Sequence, residues 1–331
     1  MSADQVPAAR EAAVALGGHL DGCRIGFDLG ASDYKLAAVK EGEAVFTTEI
    51  PWDPKNEADP DFHYRRISEG LRLAASHLPR VDAIGGSSAG IYIDNKVMVA
   101  SLFRAVPADL FPTRVKPLFL RLREEWGVPF EVANDGDVTA LAGAMALKVN
   151  GVLGVAMGSS QAVGFLDREG RITGWLNELA FAPVDYRPDA PPDEWSGDLG
   201  CGVQYFSQQA VVRLAPLAGI ALPPGHPAEQ LKHVQELLAQ SDRRAQSVFE
   251  TIGVCLGYAL ALYADMYDLR HVLVLGRVTS GDGGDLIVGQ AREVLNREFP
   301  ELTDRLALHL PDEKSKRVGQ AVAAASLPRL R

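Results

Sequence analysis

Apolar residues recur along the chain with two periods, and their alternation predicts strands and helices in turn. Residues 24–29 form an apolar strand running into Gly30-Ala31-Ser32, residues 35–39 resume it as a hairpin partner, and 43–50 supply a third strand. Ile67, Leu71, Ala74 and Leu78 fall at helical spacing. Residues 81–85 return to strand before the small-residue loop 85–90, and a helix over 116–126, with Pro117 in its first turn, leads to a strand at 129–133. That strand stops at Asn134-Asp135-Gly136-Asp137, and a helix over 138–147 follows. The second half repeats the theme: strand 151–157 enters Gly158-Ser159-Ser160, 162–166 is its hairpin partner, and 171–172 a third strand. An internal repeat of topology is therefore expected. After a Pro- and Asp-rich loop, 183–192, helices are expected over 203–214, 227–238 and 245–267, then a strand at 271–275 ending at Gly276. A helix from Asp285 follows a Gly-rich turn, and short helices are expected at 318–327 and at the start, 3–20.

Length and composition narrow the class. At ~100–200 residues per domain, 331 residues make two lobes or one large α/β unit. The 47% hydrophobic and 23% charged content excludes a disordered chain. Acidic residues outnumber basic ones 43 to 33, with no Lys/Arg stripe, so neither nucleic acid nor an anionic membrane is an expected partner. Cys23, Cys201 and Cys255 are too few and too scattered for a disulfide framework or a cysteine-rich zinc site. His63, His226 and His271 lack ligand spacing. No uninterrupted apolar run approaches the ~20 residues of a bilayer span, and the charged first 22 residues are unlike a secretory signal, so a cytoplasmic location is expected.

Gly30, Gly158 and Gly276 each follow an apolar strand, as glycines do where backbone N–H groups cradle a phosphate. Three such turns over two similar halves point to a nucleotide in a cleft between lobes. Asp28 and Asp135 stand at the C-terminal ends of strands, where α/β sheets bind ligands. Asp137, at the helix start, reads as an N-cap; Asp135, just before it, reads as catalytic.

Residues 26–35, with Asp28, Gly30 and Ser32, resemble the first phosphate motif, Asp-x-Gly-x-Thr/Ser, of the actin, sugar kinase and Hsp70 superfamily. The likeness is closest to its ROK (repressor, open reading frame, kinase) family. Asn134-Asp135-Gly136-Asp137 resembles the Asn-Asp-Ala-Asn catalytic motif, and residues 170–174 followed by Asn177-Glu178 the sugar-contacting Gly-Glu segment. Residues 199–207 are similar to the Gly-Cys-x-Glu-x-Tyr-x-Ser stretch, Val274-Leu275-Gly276 to the adenosine motif and 318–321 to the terminal helix. The resemblance runs in order from residue 24 to the C-terminus.

It implies a two-lobed, actin-like (ribonuclease H-like) α/β ATPase fold with its site in the interlobe cleft. The lobes would be 23–133, completed by 315–331, and 134–314, after an N-terminal helical extension, 1–22. It further implies a homodimeric kinase that moves the γ-phosphate of MgATP to a hydroxyl of a sugar or sugar-like polyol, a cyclitol included. Asp135 would be the general base, Asp28 would orient Mg²⁺, and Asn134, Glu178, Ser88, Gly90 and Trp175 would meet the acceptor. Gly30, Ser32, Lys35, Gly158, Ser159, Ser160 and Gly276 would hold ATP. Lys35 reads equally as a solvated strand lysine, and Trp175 as a core residue.

Four departures shape the expectation. The second phosphate loop lacks the family's Gly-Thr-Gly, Phe181 replaces a His that binds sugar and zinc, and at most Cys201 remains of three zinc cysteines. Ser101–Phe103 and Arg104 stand where a sugar-contacting Pro-Asn pair belongs. No zinc and an acceptor other than the usual hexose are therefore expected. The rival reading is a catalytically silent sugar- or nucleotide-binding protein; the repressor branch is not expected, because 22 residues cannot hold a winged helix-turn-helix.

Overall fold

Seven consecutive buried residues make β1 (Cys23–Leu29) the centre of the first sheet in the computed structural model, which describes residues 16–194, 196–311 and 313–330, backbone alone for 313–318. β2 (Asp33–Lys40) folds back antiparallel with Lys35 opposite Asp28, and β3 (Glu43–Pro51) forms the edge. α1 (Pro60–Ala75) is capped by Asp59, whose side chain accepts the Asp61 N–H, and buries Ile67, Leu71 and Ala74. β4 (Ala83–Ser88) lies parallel to β1. A hairpin of β5 (Ile91–Ile93) and β6 (Lys96–Val99), a π-helical turn at Phe111–Val115 and α2 (Leu118–Trp126) lead to β7 (Phe130–Asn134), completing the order β3-β2-β1-β4-β7.

α3 (Asp135–Leu147) then leaves the first sheet and packs on the second. There β8 (Val152–Met157) and β9 (Gln161–Leu166) form the hairpin, followed by α4 (Gln208–Leu217), α5 (Pro227–Ala239) and α6 (Arg243–Met266). β10 (His271–Leu275), α7 (Asp282–Glu298), α8 (Pro300–Thr303) and β11 (Ala307–His309) finish the sheet in the order β11-β10-β8-β9. Alternation sorts its two faces: Leu153, Val155 and Met157 join the helical layer α4–α7, while Val152 joins α3. α9 (Glu313–Ala325) crosses back onto β1, β2 and β4.

The expected repeat of three hairpin-linked strands holds for the first two strands of each half: β1 and β8 each carry an antiparallel hairpin partner on one side and a parallel strand on the other. The strand expected at 171–172 is reduced to one bridge, Leu166 to Ile172. Asp167 gathers the Glu169 and Arg171 N–H groups into a tight turn, and the chain leaves the sheet straight after. α3 starts three residues earlier than expected because Asn134 caps it. α4 starts later, behind a 3-10 turn at Gly202–Gln204, and Pro117 precedes α2 instead of entering it. α7 begins at Asp282, inside the expected Gly-rich turn.

Most of the expected N-terminal helix lies outside the described residues, and the part within them, 16–20, is not helical: Gly17 and His19 N–H donate to the Leu327 and Ser326 carbonyls. α6, at 24 residues, is long and apolar enough by length and composition to cross a membrane, contrary to the sequence expectation; it sits in the second lobe's core with Val248, Phe249, Ile252, Leu256 and Leu260 buried.

Two pairs of glycines set how the helices lie on the sheets. Gly26 and Gly85 are neighbours across β1 and β4, and a Cβ on either would stand 1.7 Å from the carbonyl oxygen of Ala321 or Ala324 in α9. Gly154 and Gly164 are neighbours across β8 and β9; a Cβ on Gly164 would lie 2.1 Å from the Gly136 oxygen of α3, and one on Gly154 3.1 Å from Ala140 Cα. Helix backbone thus rests directly on strand backbone. Gly26→Ala and Gly85→Ala should each cost about 3 kcal/mol or more in urea unfolding, whereas Gly289→Ala, with open space around its Cβ in α7, should be neutral or stabilising by up to ~1 kcal/mol. Equal effects at the buried and open positions would contradict this packing.

Candidate active site

Strand β1 ends by carrying Asp28 into a nearly closed setting, 6% exposed. Its Oδ1 accepts the Ser87 hydroxyl at 2.7 Å from β4, and its Oδ2 faces Lys35 Nζ at 3.3 Å from β2. Burial outweighs both partners and holds the Asp28 pKa above the usual carboxylate value. Burial works against the Lys35 charge, but Asp28 and Asp33 overcome it and lift its pKa. Lys35 is therefore a paired, half-buried residue and not a solvated strand lysine. From α9, the Gln320 amide donates to the Ser87 hydroxyl at 3.0 Å and to the Asp135 carbonyl at 3.3 Å. Ser87 of β4 and Gln320 of α9 so link the Asp28 carboxylate to the Asp135 backbone; both sit in segments noted in the sequence, but nothing there marks them as a bridge.

Asn134 ends β7 and caps α3 through its Oδ1, while its Nδ2 donates to the Gly90 carbonyl at 2.8 Å. Both ends of the amide are thus committed to holding the loop. Asp135 follows, half-buried. Burial and then the charge of Asp28 push its pKa up to about 7. Asp137 is not the cap expected of it: it occupies the first turn, 8% exposed, and its Oδ1 accepts from Asn177 Nδ2 at 2.9 Å and the Phe165 N–H at 3.4 Å. Tyr267 in turn donates to Asn177 Oδ1 at 3.1 Å. Burial also pushes Asp137 up to about 7.

A cavity of about 390 Å³ opens here, with Gly90, Tyr92, Asn134, Asp137 and Trp175 in its wall. Of the expected acceptor residues it gathers Asn134, Gly90 and Trp175, but Ser88 is fully buried and takes the Tyr92 hydroxyl at 2.8 Å. Trp175 is 39% exposed, its ring stacked on Phe165, so it is a wall residue and not a core one. Glu178 is exposed and lies close enough to Asp135 and Asp137 to raise the pKa of both. Phe181 sits beneath, packed on the Ala180, Cys201 and Val203 cluster. Cys201 Sγ is directed to the Phe181 and Asp198 carbonyls, and bridges from Pro183 to Cys201 and Pro192 to Leu199 order the loop.

The two hairpin loops occupy equivalent places, at the ends of β1 and β8. Each spends its glycine N–H internally, Gly30 on the Asp33 carbonyl and Gly158 on the Ser160 carbonyl, both at 2.9 Å. The donors left for an anion are those of exposed Ala31, Ser32, Ser159 and Ser160, a correction to the expected role of the glycine N–H groups. Gly276 stands at φ 107°, and a Cβ there would lie 2.4 Å from the Met157 carbonyl oxygen, so both the backbone conformation and the close approach beside the Gly158 loop require glycine.

No family model matches the chain, and no curated protein matches it. Among solved structures it is similar to a ROK-family glucokinase from Streptomyces griseus in complex with glucose and AMPPNP, with TM-score 0.69, 23% identity, and 93% and 99% of the two chains covered. It is also similar to a ROK hexokinase from Thermus thermophilus (TM-score 0.70, 17% identity, covering 92% and 97%). A third match is a ROK-family transcriptional regulator homologous to E. coli MLC (TM-score 0.73, 18% identity, covering 93% and 79%). The chain has the two-lobed, actin-like ATPase fold of these proteins.

Protons held by Asp137 make stability depend on pH. Between the ordinary carboxylate value near 4 and about 7, the folded protein keeps a proton that the unfolded chain has released, so stability falls as pH rises through this window. Asp137→Asn cannot charge and still accepts from Asn177 and Phe165. Its denaturation midpoint relative to wild type should climb between pH 5 and pH 8. A constant or shrinking difference would show that Asp137 titrates normally.

Proposed function

We propose that the protein is a carbohydrate kinase that transfers the γ-phosphate of ATP to a hydroxyl of a sugar or sugar-like polyol bound between the lobes. The observation that carries this reading is Asp135, a half-buried carboxylate at the start of α3 that burial and Asp28 push up to about 7, where a general base works best at neutral pH. A sensor needs no such base. The lobes are taken as 23–133 with 315–331, and 134–314. A cytoplasmic location and a homodimer complete the reading.

In this mechanism Asp135 accepts the proton of the acceptor hydroxyl as its oxygen attacks the γ-phosphorus and ADP leaves. Phosphoryl transfer passes through a loose transition state, so the protein chiefly positions groups and neutralises charge. Ala31, Ser32, Ser159 and Ser160 offer N–H and hydroxyl donors from the two loops, and Gly276 borders the nucleotide side. Asp28, buried with Lys35 as the one cation beside it among the described residues, suits a Mg²⁺ ion that keeps most of its water, and the bound ion would neutralise phosphate charge. Lys35 favours the charged form of Asp28 against the effect of burial and is near enough to turn toward a phosphate. Glu178 and the Trp175 face orient the acceptor. Closure of the lobes excludes water from the transfer.

A second reading, a binding protein without turnover, draws on the Gly158 loop, whose glycine N–H is already spent. Acceptor-dependent ADP release separates the two. The kinase reading predicts such release, kcat/KM rising with pH to a plateau above an apparent pKa near 7, and a loss of roughly 10²–10⁴-fold in Asp135→Asn with acceptor binding retained. No ADP release with any polyol, or near-normal turnover in Asp135→Asn, would overturn it.

A further inference from the structure

The cavity walled by Gly90, Asn134 and Trp175 has charge of one sign only. Asp94, Glu131 and Asp137 line it, and among the described residues of its wall there is no Lys, Arg or His. Asp137 is the deepest of the three. Its Oδ1 is fully engaged by Asn177 and Phe165, and its Oδ2 has no hydrogen-bond partner among the described residues. Tyr267, by gripping the other end of Asn177, fixes the direction in which that free oxygen is presented.

Two further observations point to a ligand there. Thr173 Oγ1, in the same wall, is buried and without a partner, although buried hydroxyls are ordinarily satisfied. The remaining wall is apolar, with Ile93, Trp175 and Leu176 standing exposed at 52%, 39% and 61%. A volume near 390 Å³ is in the ordinary range for a small-molecule site.

Buried carboxylates without a countercharge are costly, and burial indeed raises the pKa of both Asp137 and Glu131. Arg123 eases Glu131 from the neighbouring cavity, and Asn95 Nδ2 donates to it at 3.1 Å, so Glu131 is partly provided for. Asp137 has no cation. An acceptor bearing a carboxylate or phosphate would be repelled here, and a neutral polyol would leave the charge as it was.

We propose that the acceptor is a polyol carrying a free ammonium group, seated with that group against Asp137 Oδ2 and Thr173 Oγ1 and with its ring over Trp175. This rests on the kinase reading for the word acceptor alone; the preference for an ammonium concerns binding and stands apart from turnover. Acylation of the nitrogen would remove the charge and crowd the wall, so the free amine and its N-acetyl form are distinguished.

The test is a panel of 2-, 3- and 6-amino-deoxyglucose, an aminocyclitol, their N-acetyl counterparts and the parent neutral polyols. Each is measured by calorimetric Kd and by ADP release, with wild type, Asp137→Asn and Glu131→Gln. At least one amine should bind wild type roughly 10- to 100-fold tighter than its N-acetyl and neutral counterparts, the usual worth of a hydrogen bond to a charged group. That ratio should collapse in Asp137→Asn and largely persist in Glu131→Gln. Tight amine binding without ADP release would uphold the ammonium preference while overturning the kinase reading. ADP release with neutral or N-acetylated polyols at least as efficient as with amines would overturn the preference while upholding the kinase. An unchanged ratio in Asp137→Asn, or no binding by any amine, would likewise overturn it; wild-type selectivity alone decides the matter if the variant does not fold.

Discussion

Everything at the candidate site depends on helix backbone lying directly on strand backbone at two places. Gly26 and Gly85 leave no room for even a methyl group between the first sheet and α9, Gly164 does the same beneath α3, and Gly154 beside it is tightly packed. Those two helices touch each other, so each sheet is held at a fixed distance from a shared helical layer. The chain crosses twice to achieve this, since α3 follows the first sheet but packs on the second and α9 follows the second but packs on the first. Asp28 at the end of β1 and Asp135 at the start of α3 become neighbours in charge because of these crossings, and Gln320 ties them through Ser87 and the Asp135 carbonyl.

The electrostatics follow from that geometry. Four carboxylates, Asp28, Asp135, Asp137 and Glu178, share one region, and Lys35 is the cation in contact with any of them among the described residues. Burial and mutual repulsion disfavour their charged forms. A site so arranged gains from ligands that bring positive charge, a metal on the phosphate side and, in our reading, an ammonium on the acceptor side. The same surplus that makes Asp135 a base near neutrality thereby sets what the site will accept.

The sequence carried the topology well where apolar runs were bounded by glycine or by polar turns. β1, β2, β3, β8, β9 and β10 stand within a residue or two of expectation, and Asp28 and Asp135 lie at or next to strand ends, as the apolar runs put them. Short edge elements escaped, because β5, β6 and β11 of three or four residues have too few positions to show a period. Asp137 was misread as a cap because Asn134 and Asp137 are equally good cap residues in isolation; only the burial of Asp137 against Phe165 and Asn177 distinguishes them. The free N–H groups of Gly30 and Gly158 were overestimated, since a hairpin closes on its own donors and composition cannot show which. Ser87 and Gln320, 233 residues apart, meet only through the return of α9, which no local pattern records.

The measurement that bears most directly on this account is the titration of Asp135 by NMR with ¹³C-labelled aspartate, in wild type and in Asp28→Asn. The account places the Asp135 pKa near 7 in wild type, and distinctly lower once the charge at Asp28 is removed, because that charge disfavours ionisation of Asp135. An Asp135 that titrates near 4, or one that ignores Asp28→Asn, would contradict it.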